Sequence, residues 1–578
     1  MGKLQFMSKQ EFEKYFHNEL FKLKELSKEF SHEHPSVAPL LGQNSSDPDA
    51  QRLLEGVAFL SALLEKKLDS EFPEAMHGLM NILFPHFLRP VPSFSMEEFH
   101  PKTSLRETIK IPKHTQLKST PIDGVDCIFS TTADVDISPM QVDDLVFQRD
   151  TLLLKISLLN TKLSALKLEE LTFYLGDEYD QSTNLFMYLS QNLVKITIEL
   201  KDGIKIQLPL DALEQEGFKL ENSLFDYPQN SFSGYRILQE YFLLPQKFLS
   251  FKLKKLDKLK KYDVENFTIK FHFSNSQVNL STLSKNSIKL FCTPIVNLFE
   301  TEAEPMQINF KKELLQVRPP LRYTDTYQIY DVVDISGYVQ GQAQKNQYFA
   351  FESFKNSKDS ENIYQILRKK SIVNAKEEVY LQLHQKKIQE KTETLSIKVT
   401  CTNAQIPQNL QLGEISEASD TSPELATFKN IIPCTMQVDS PIDDDSSWQF
   451  ISHLSINLLN LSDIKIFKEM LGLYSFSNSR DKTQVIKNKK KISAIEGFEV
   501  ELVDRIKRGY LIKGHKVNIT IRKDQFASIG DLYLFCTVLL HFLSSYTTLN
   551  TFLELEAKEL ITGERMIWEP ILGNKKLI

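Results

Sequence analysis

Up to Leu83 the apolar residues fall three and four apart; from about Phe99 they alternate with polar ones, and Pro85, Pro90 and Pro92 stand between the two regimes. That change of period places a helical region ahead of one dominated by strands, because a 3.6-residue repeat and a two-residue repeat cannot serve the same element. Ser8 and Glu11 have capping-box spacing, and Phe12, Phe16, Leu20, Leu23, Leu26 and Phe30 follow as one stripe that stops before Pro35. Asp47-Pro48 supplies a second helix start, after which Leu53, Leu54, Val57, Leu60, Leu64 and Leu68 keep helical spacing. A third helix is expected from Pro73, carrying Met76, Leu79, Met80 and Leu83. Taken singly, these stripes read as ordinary core. Helices this short gain stability mainly from packing, so Phe12, Phe16, Leu20 and Leu23 are expected to face a partner chain or a mixed bundle. The prolines that follow fix backbone angles and end the helix. Arg89 among them is a candidate interface residue, equally suited to pairing with a carboxylate in an internal corner.

Beyond the corner, Leu152–Leu159 and Phe267–Phe273 alternate as strands do, and Asp202-Gly203 marks a hairpin turn. Helical pieces are expected at Asn184–Leu189 and Gly234–Phe242. Residues 338–360 are polar and read as a loop or domain junction; 414–447 read as long connections around one short strand. The expected class is α+β multidomain: a helical arm (1–95), a β-rich, sandwich-like domain with a helical insertion (96–340), a second β-rich domain with flexible loops (341–495) and a C-terminal α+β domain (496–578). In the last, Asp531–Ser544 is apolar over most of its circumference, so it must be buried on nearly all sides. Phe535, Leu539 and Phe542 are therefore expected in a core at or near a contact between subunits.

The charges exclude more than they identify. A net charge of −6 argues against a dedicated nucleic-acid binder. The runs Lys252–Lys261 and Lys487–Lys491 read as solvated faces. Cys127, Cys292, Cys401, Cys434 and Cys536 show no metal-ligand spacing and read as free thiols of a reducing compartment. Met1–Gln10 has no signal-peptide hydrophobic region, and no apolar run approaches the ~20 residues that span a bilayer, which predicts a cytoplasmic chain without direct membrane insertion.

No phosphate loop, dinucleotide fingerprint, H-E-x-x-H or G-x-S-x-G occurs. His32 and His34 are two positions apart, so a helix would not turn both to one face. Asp443, Asp444 and Asp445 read as a solvated loop, and His453 has no nucleophile placed with it. No cofactor and no metal are expected, and no enzyme; the alternative is an enzyme with an unrecognised β-sandwich site.

Several motifs, in order, carry a resemblance. They are Phe30-Ser31-His32-Glu33-His34-Pro35, Asp47-Pro48-Asp49, Arg52-Leu53-Leu54-Glu55-Gly56-Val57-Ala58-Phe59-Leu60, and Leu83-Phe84-Pro85-His86 with Leu88-Arg89-Pro90-Val91-Pro92-Ser93. Further along come Tyr235-Arg236-Ile237-Leu238-Gln239-Glu240-Tyr241-Phe242, Pro245-Gln246-Lys247-Phe248, Phe291–Phe299, Thr400-Cys401-Thr402-Asn403, Trp448 with Ile451–Asn457, and Gly563-Glu564-Arg565 before Trp568-Glu569-Pro570. The chain resembles the TssF family of type VI secretion systems over nearly its whole length, with 338–370 and 414–445 poorly matched. The resemblance implies a baseplate wedge subunit. Two copies would wrap one TssG-like subunit, bind TssE-like and TssK-like subunits, and ring a VgrG-like hub from which an Hcp-like tube grows. The baseplate would dock at the inner-membrane complex.

Overall fold

A computed structural model describes residues 16–24, 26–27, 52–62, 80, 87–201, 203–227, 233–274, 283–308, 314–339, 345–351, 362–371, 377–385, 393–440, 463–476, 479–507 and 510–573. The chain groups into two compact units, Met1–Leu83 and Phe84–Ile578.

In the first unit, residues 16–24 and 52–62 are helical. Phe16, Leu20 and Leu23 are half-buried, and Phe12 lies outside the described residues. On the second segment Ala58 and Ala62 are covered, whereas Leu53, Val57 and Leu60 are exposed. A rotation of 100° per residue sets these two groups on opposite sides of the helix. Leu53, Val57 and Leu60 of the stripe read as ordinary core are therefore turned outward, Leu54 is half-buried, Leu64 and Leu68 lie outside the described residues, and the small residues occupy the covered face.

The second unit is mixed and dominated by antiparallel sheets. A six-stranded sheet runs, in spatial order, Ile415–Glu417, Gln116–Ser119, Ile128–Thr131, Cys292–Val296, Phe94–Pro101 and Ala426–Asn430. A five-stranded sheet centres on Asn266–Phe273, whose Phe267, Ile269, Phe271 and Phe273 are all buried, as their alternation requires. Its edge hairpin pairs Leu193–Leu200 with Lys205–Leu208, and Gly203 between them takes φ +76°, a conformation that suits glycine. A four-stranded sheet holds Leu213–Gln215, Ser250–Leu253, Leu171–Leu175 and Ile288–Leu290.

An eight-stranded sheet takes most of the chain from Phe299 to Thr402 around one continuous core that includes Phe299, Ile335, Tyr348, Leu381, Ile397 and Cys401. Here the structure corrects two expectations. Lys345–Ala350, inside the stretch read as a loop, is an interior strand of this sheet. Its sequence looks like a loop because only Tyr348 among its side chains is buried. Among the described residues of 414–447 there are two strands rather than one, Ile415–Glu417 and Ala426–Asn430, one at each edge of the six-stranded sheet.

Five α-helices are described in this unit: α1 (Tyr179–Met187), α2 (Ser233–Leu243), α3 (Ile464–Leu473), α4 (Lys482–Ser493) and α5 (Ile529–Ser544). The last sheet is Ile495–Lys507, Tyr510–Ile521, Phe552–Glu559 and Arg565–Ile567, with Ile571–Leu572 also on Phe552–Glu559. Its two middle strands are parallel, and α5 makes the crossover between them. Ser528 caps α5 by accepting from the Asp531 N–H. Within its first turn, Gly530 passes so close to α1 that a Cβ there would meet the Thr183 carbonyl carbon at 2.3 Å. Phe535, Leu539 and Phe542 are fully buried, with α1, α2 and Phe552–Glu559 packed on the helix.

Candidate functional site

Described motif residues of the second unit meet at three internal nodes. The first is built on α2. Arg236 and Glu240 are one helical turn apart and share a face. A short 3₁₀ turn, Pro245–Phe248, folds Lys247 back under that face. Glu240 accepts from Arg236 Nη1 at 3.0 Å and from Lys247 Nζ, while its other oxygen accepts from the Leu224 N–H at 2.8 Å. Arg236 Nη2 donates to the Phe218 carbonyl at 2.9 Å. All three charged side chains are buried. Burial lowers the Lys247 ammonium to about 8, with Glu240 opposing the fall.

From the same helix, Tyr241 OH accepts from Lys491 Nζ at 2.9 Å. Lys491, on α4, also pairs with Asp531 of α5 at 2.7 Å, and Tyr179 of α1 donates to Asp531 at 2.8 Å. Burial pushes the Lys491 ammonium below the usual lysine range. Four helices are thus tied by one buried polar knot. Tyr235 adds a ring stacked on Tyr474 at 5.1 Å, and its hydroxyl accepts from Tyr546 at 2.8 Å. His541 stacks on Phe218 at 4.2 Å.

The second node stitches the six-stranded sheet to the eight-stranded one. Asn297 Oδ1 accepts from the Asn403 N–H at 2.7 Å, and Asn297 Nδ2 donates to Asn403 Oδ1 at 2.8 Å. Asn403 Oδ1 also accepts from the Ile128 N–H at 3.1 Å. Thr402 donates to Gln437 at 2.8 Å. The third node anchors the end of the chain. Trp568 stacks on Tyr533 at 5.0 Å and donates through Nε1 to Thr537 Oγ1 at 2.9 Å. Arg89 belongs to this internal frame as well: it pairs with Asp331 at 2.6 Å and lies over the Tyr330 ring.

These side chains are consumed by one another inside the fold, an arrangement suited to holding elements in register. Among the described residues, no group of three or more His, Cys, Asp or Glu is placed to hold a metal ion. His32, His34, Asp443, Asp444, Asp445 and His453 lie outside the described residues. Of the two basic runs, Lys252, Lys254 and Lys255 are paired with Glu170, Glu214 and Asp211. Lys491 departs from the solvated reading, as the one buried lysine of its run.

One buried acid stands apart. Glu97, in the strand Phe94–Pro101, has no hydrogen-bond partner for either oxygen among the described residues. Burial, and then the neighbouring Glu98, raise its pKa well above the carboxylate range. The stability that goes with the protonated form is complete below the unfolded-state value, about 4.3. It is lost as pH rises through the raised folded value. Glu97→Gln keeps the shape without the titration. The variant is expected to melt higher than the parent at neutral pH, with a gap that closes on acidification. Thermal melts from pH 4 to 8 check this; a gap that widens towards acid would contradict it.

The model of the family "Type VI secretion system, TssF" matches residues 8–575. Type VI secretion system component TssF1 of Pseudomonas aeruginosa strain PAO1 is 25% identical over 616 aligned residues, covering 97% of this chain and 98% of that one. A subunit in the cryo-electron microscopy structure of a type VI secretion TssK-TssF-TssG baseplate subcomplex is similar at 26% identity and a TM-score of 0.77, over 91% of this chain and 99% of its own. A chain of a second baseplate complex shares the fold at 22% identity, with a TM-score of 0.59 over 98% of this chain and 100% of its own.

Proposed function

This chain belongs to the TssF family and is a structural subunit of a type VI secretion baseplate; from that premise we propose that it builds a wedge with a TssG-like subunit and a second copy of itself. TssK-like and TssE-like subunits would bind that wedge, and the wedges would ring a VgrG-like hub below an Hcp-like tube. The whole would sit in the cytoplasm, docked at the inner-membrane complex; among the described residues no helix is long and apolar enough to cross a membrane. The work is mechanical, and no reaction chemistry is assigned to the chain.

The observation that carries the reading is the outward apolar face of residues 52–62. Leu53, Val57 and Leu60 line one side of a helix and are exposed, while Ala58 and Ala62 on the other side are covered. A stripe of that kind marks an interaction surface. With Phe16, Leu20 and Leu23 it forms the proposed TssG-facing arm. The expected result is that replacing Leu53 and Leu60 with Asp leaves a folded chain that no longer co-purifies a co-expressed TssG-like subunit. Unchanged capture would refute the arm. For α5, with Phe535, Leu539 and Phe542, we propose a supporting role behind a second contact, made by the sheet it packs against.

A further inference from the structure

The strand Ile495–Lys507 is a sheet edge: among the described residues it pairs with Tyr510–Ile521 and with no other strand. Its outer half projects past the sheet, because the next strand begins at Phe552, opposite Gly514. Phe498, Val500, Leu502, Asp504 and Ile506 share one face. Phe498 is buried against the Phe467 ring at 4.3 Å, whereas Leu502 and Ile506 are 77% and 78% exposed. Leu511, opposite Ile506, is 63% exposed. A largely apolar face, interrupted by the exposed Asp504, thus leaves a covered core and continues into solvent along an open edge, the form of surface that takes up another strand.

The ladder's phase is fixed. Arg522 N–H donates to the Ala494 carbonyl, and the register shifts by one residue between Ile495 and Gly497. Hydrogen bonds to the neighbouring strand therefore fall on the odd-numbered residues from Gly497. The N–H and C=O of Val500, Leu502, Asp504 and Ile506 point to the open edge.

We infer that this edge pairs, antiparallel and about a two-fold axis, with the same strand of a second copy of this chain, centred on Val503. The inference rests on the proposed presence of two copies and names the surface they share. A two-fold pairing sets residues equally far from its centre opposite one another. Centring on Glu499, Glu501, Asp504 or Arg505 sets that charge against itself, and centring on Val500 sets Glu499 against Glu501. Centring on Leu502 requires Ile506 to meet Phe498, which Phe467 already covers. Centring on Val503 sets Arg505 opposite Glu501 and Ile506 opposite Val500, each twice. Leu502 then lies opposite Asp504, which is exposed, and diagonal to its own mate. Arg505 is half-exposed while it pairs with Glu554 at 2.9 Å, so its guanidinium has room for a second carboxylate.

The test uses the full chain co-expressed with its TssG-like subunit. Under mild oxidation Val503→Cys should form a disulfide-linked homodimer, because directly opposed residues at a non-hydrogen-bonded position lie about 4.5 Å apart at Cα. Ile506→Cys is more exposed but faces Val500, and should not self-link. Arg505→Glu should weaken self-association roughly tenfold, as two lost opposite-charge cross-strand pairs imply. Adding Glu501→Arg should restore it. Equal linking at both cysteines, a link to another subunit, or no rescue by the double reversal would overturn the inference. If two copies co-sediment and Val503→Cys stays unlinked, this edge is the wrong surface while copy pairing stands. If the copies never associate, both fail.

Discussion

Replacing Glu240 with Ala should lower stability by about 3–5 kcal/mol, the range for stranding a buried charge by deleting its partner. Two cations depend on this carboxylate, Arg236 and Lys247, and neither reaches water. The Leu224 N–H loses its acceptor in the same step. Glu240→Gln should cost less, since an amide oxygen still accepts one hydrogen bond. The triple change Arg236→Met, Glu240→Leu and Lys247→Met should recover much of the loss, because a buried ion network is often no more stabilising than apolar residues of similar volume. Urea unfolding of the three variants separates the explanations. A triple variant as unstable as Glu240→Ala would mean that the network contributes packing that apolar side chains cannot replace.

The second large effect is expected in α5. Phe535→Ala should cost about 3–5 kcal/mol, the range for emptying a buried aromatic site. The ring is fully buried and lies 5.7 Å from Tyr241 and 5.6 Å from Phe526. Leu539→Ala should fall at about 2–5 kcal/mol. The neighbours leave little room for relaxation, because the approach of α5 to α1 is set by backbone contact at Gly530 rather than by adjustable side chains. Denaturation midpoints measure the cost, and amide exchange of residues 529–544 provides an independent check. Slow exchange is expected in the parent; fast exchange would show that the helix is not a core element.

Periodicity made the elements legible where one face alone is buried. Phe267, Ile269, Phe271 and Phe273 announced a strand, and the apolar sweep from Leu532 to Leu543 announced a buried helix. Where burial is unusual, periodicity misled. Lys345–Ala350 lies inside a sheet and yet buries one side chain, so its residues look like a loop. Lys491 is buried in a run of lysines because Asp531, forty residues away, reaches it through the fold. The outward face of Leu53, Val57 and Leu60 was unreadable for the opposite reason: an apolar stripe specifies that something must cover it and leaves open whether the cover is the same chain. The described motifs of the second unit meet in a frame of buried polar nodes, which depends on distances that no spacing encodes.

The strand Phe94–Pro101 has a consequence for how the chain is made. One neighbour is Cys292–Val296 and the other is Ala426–Asn430, and the Phe94 N–H finds its acceptor, Thr435 Oγ1, 341 residues later. At roughly 5–20 residues per second of synthesis, that gap lasts roughly 20–70 s. For that time an early-synthesised strand waits with one edge unfilled. Closing so long a loop makes folding slow, and the waiting edge is open to mispairing with other nascent chains. The yield of this protein is therefore expected to depend on how fast the ribosome delivers residues 426–440 and on what shields the edge until then.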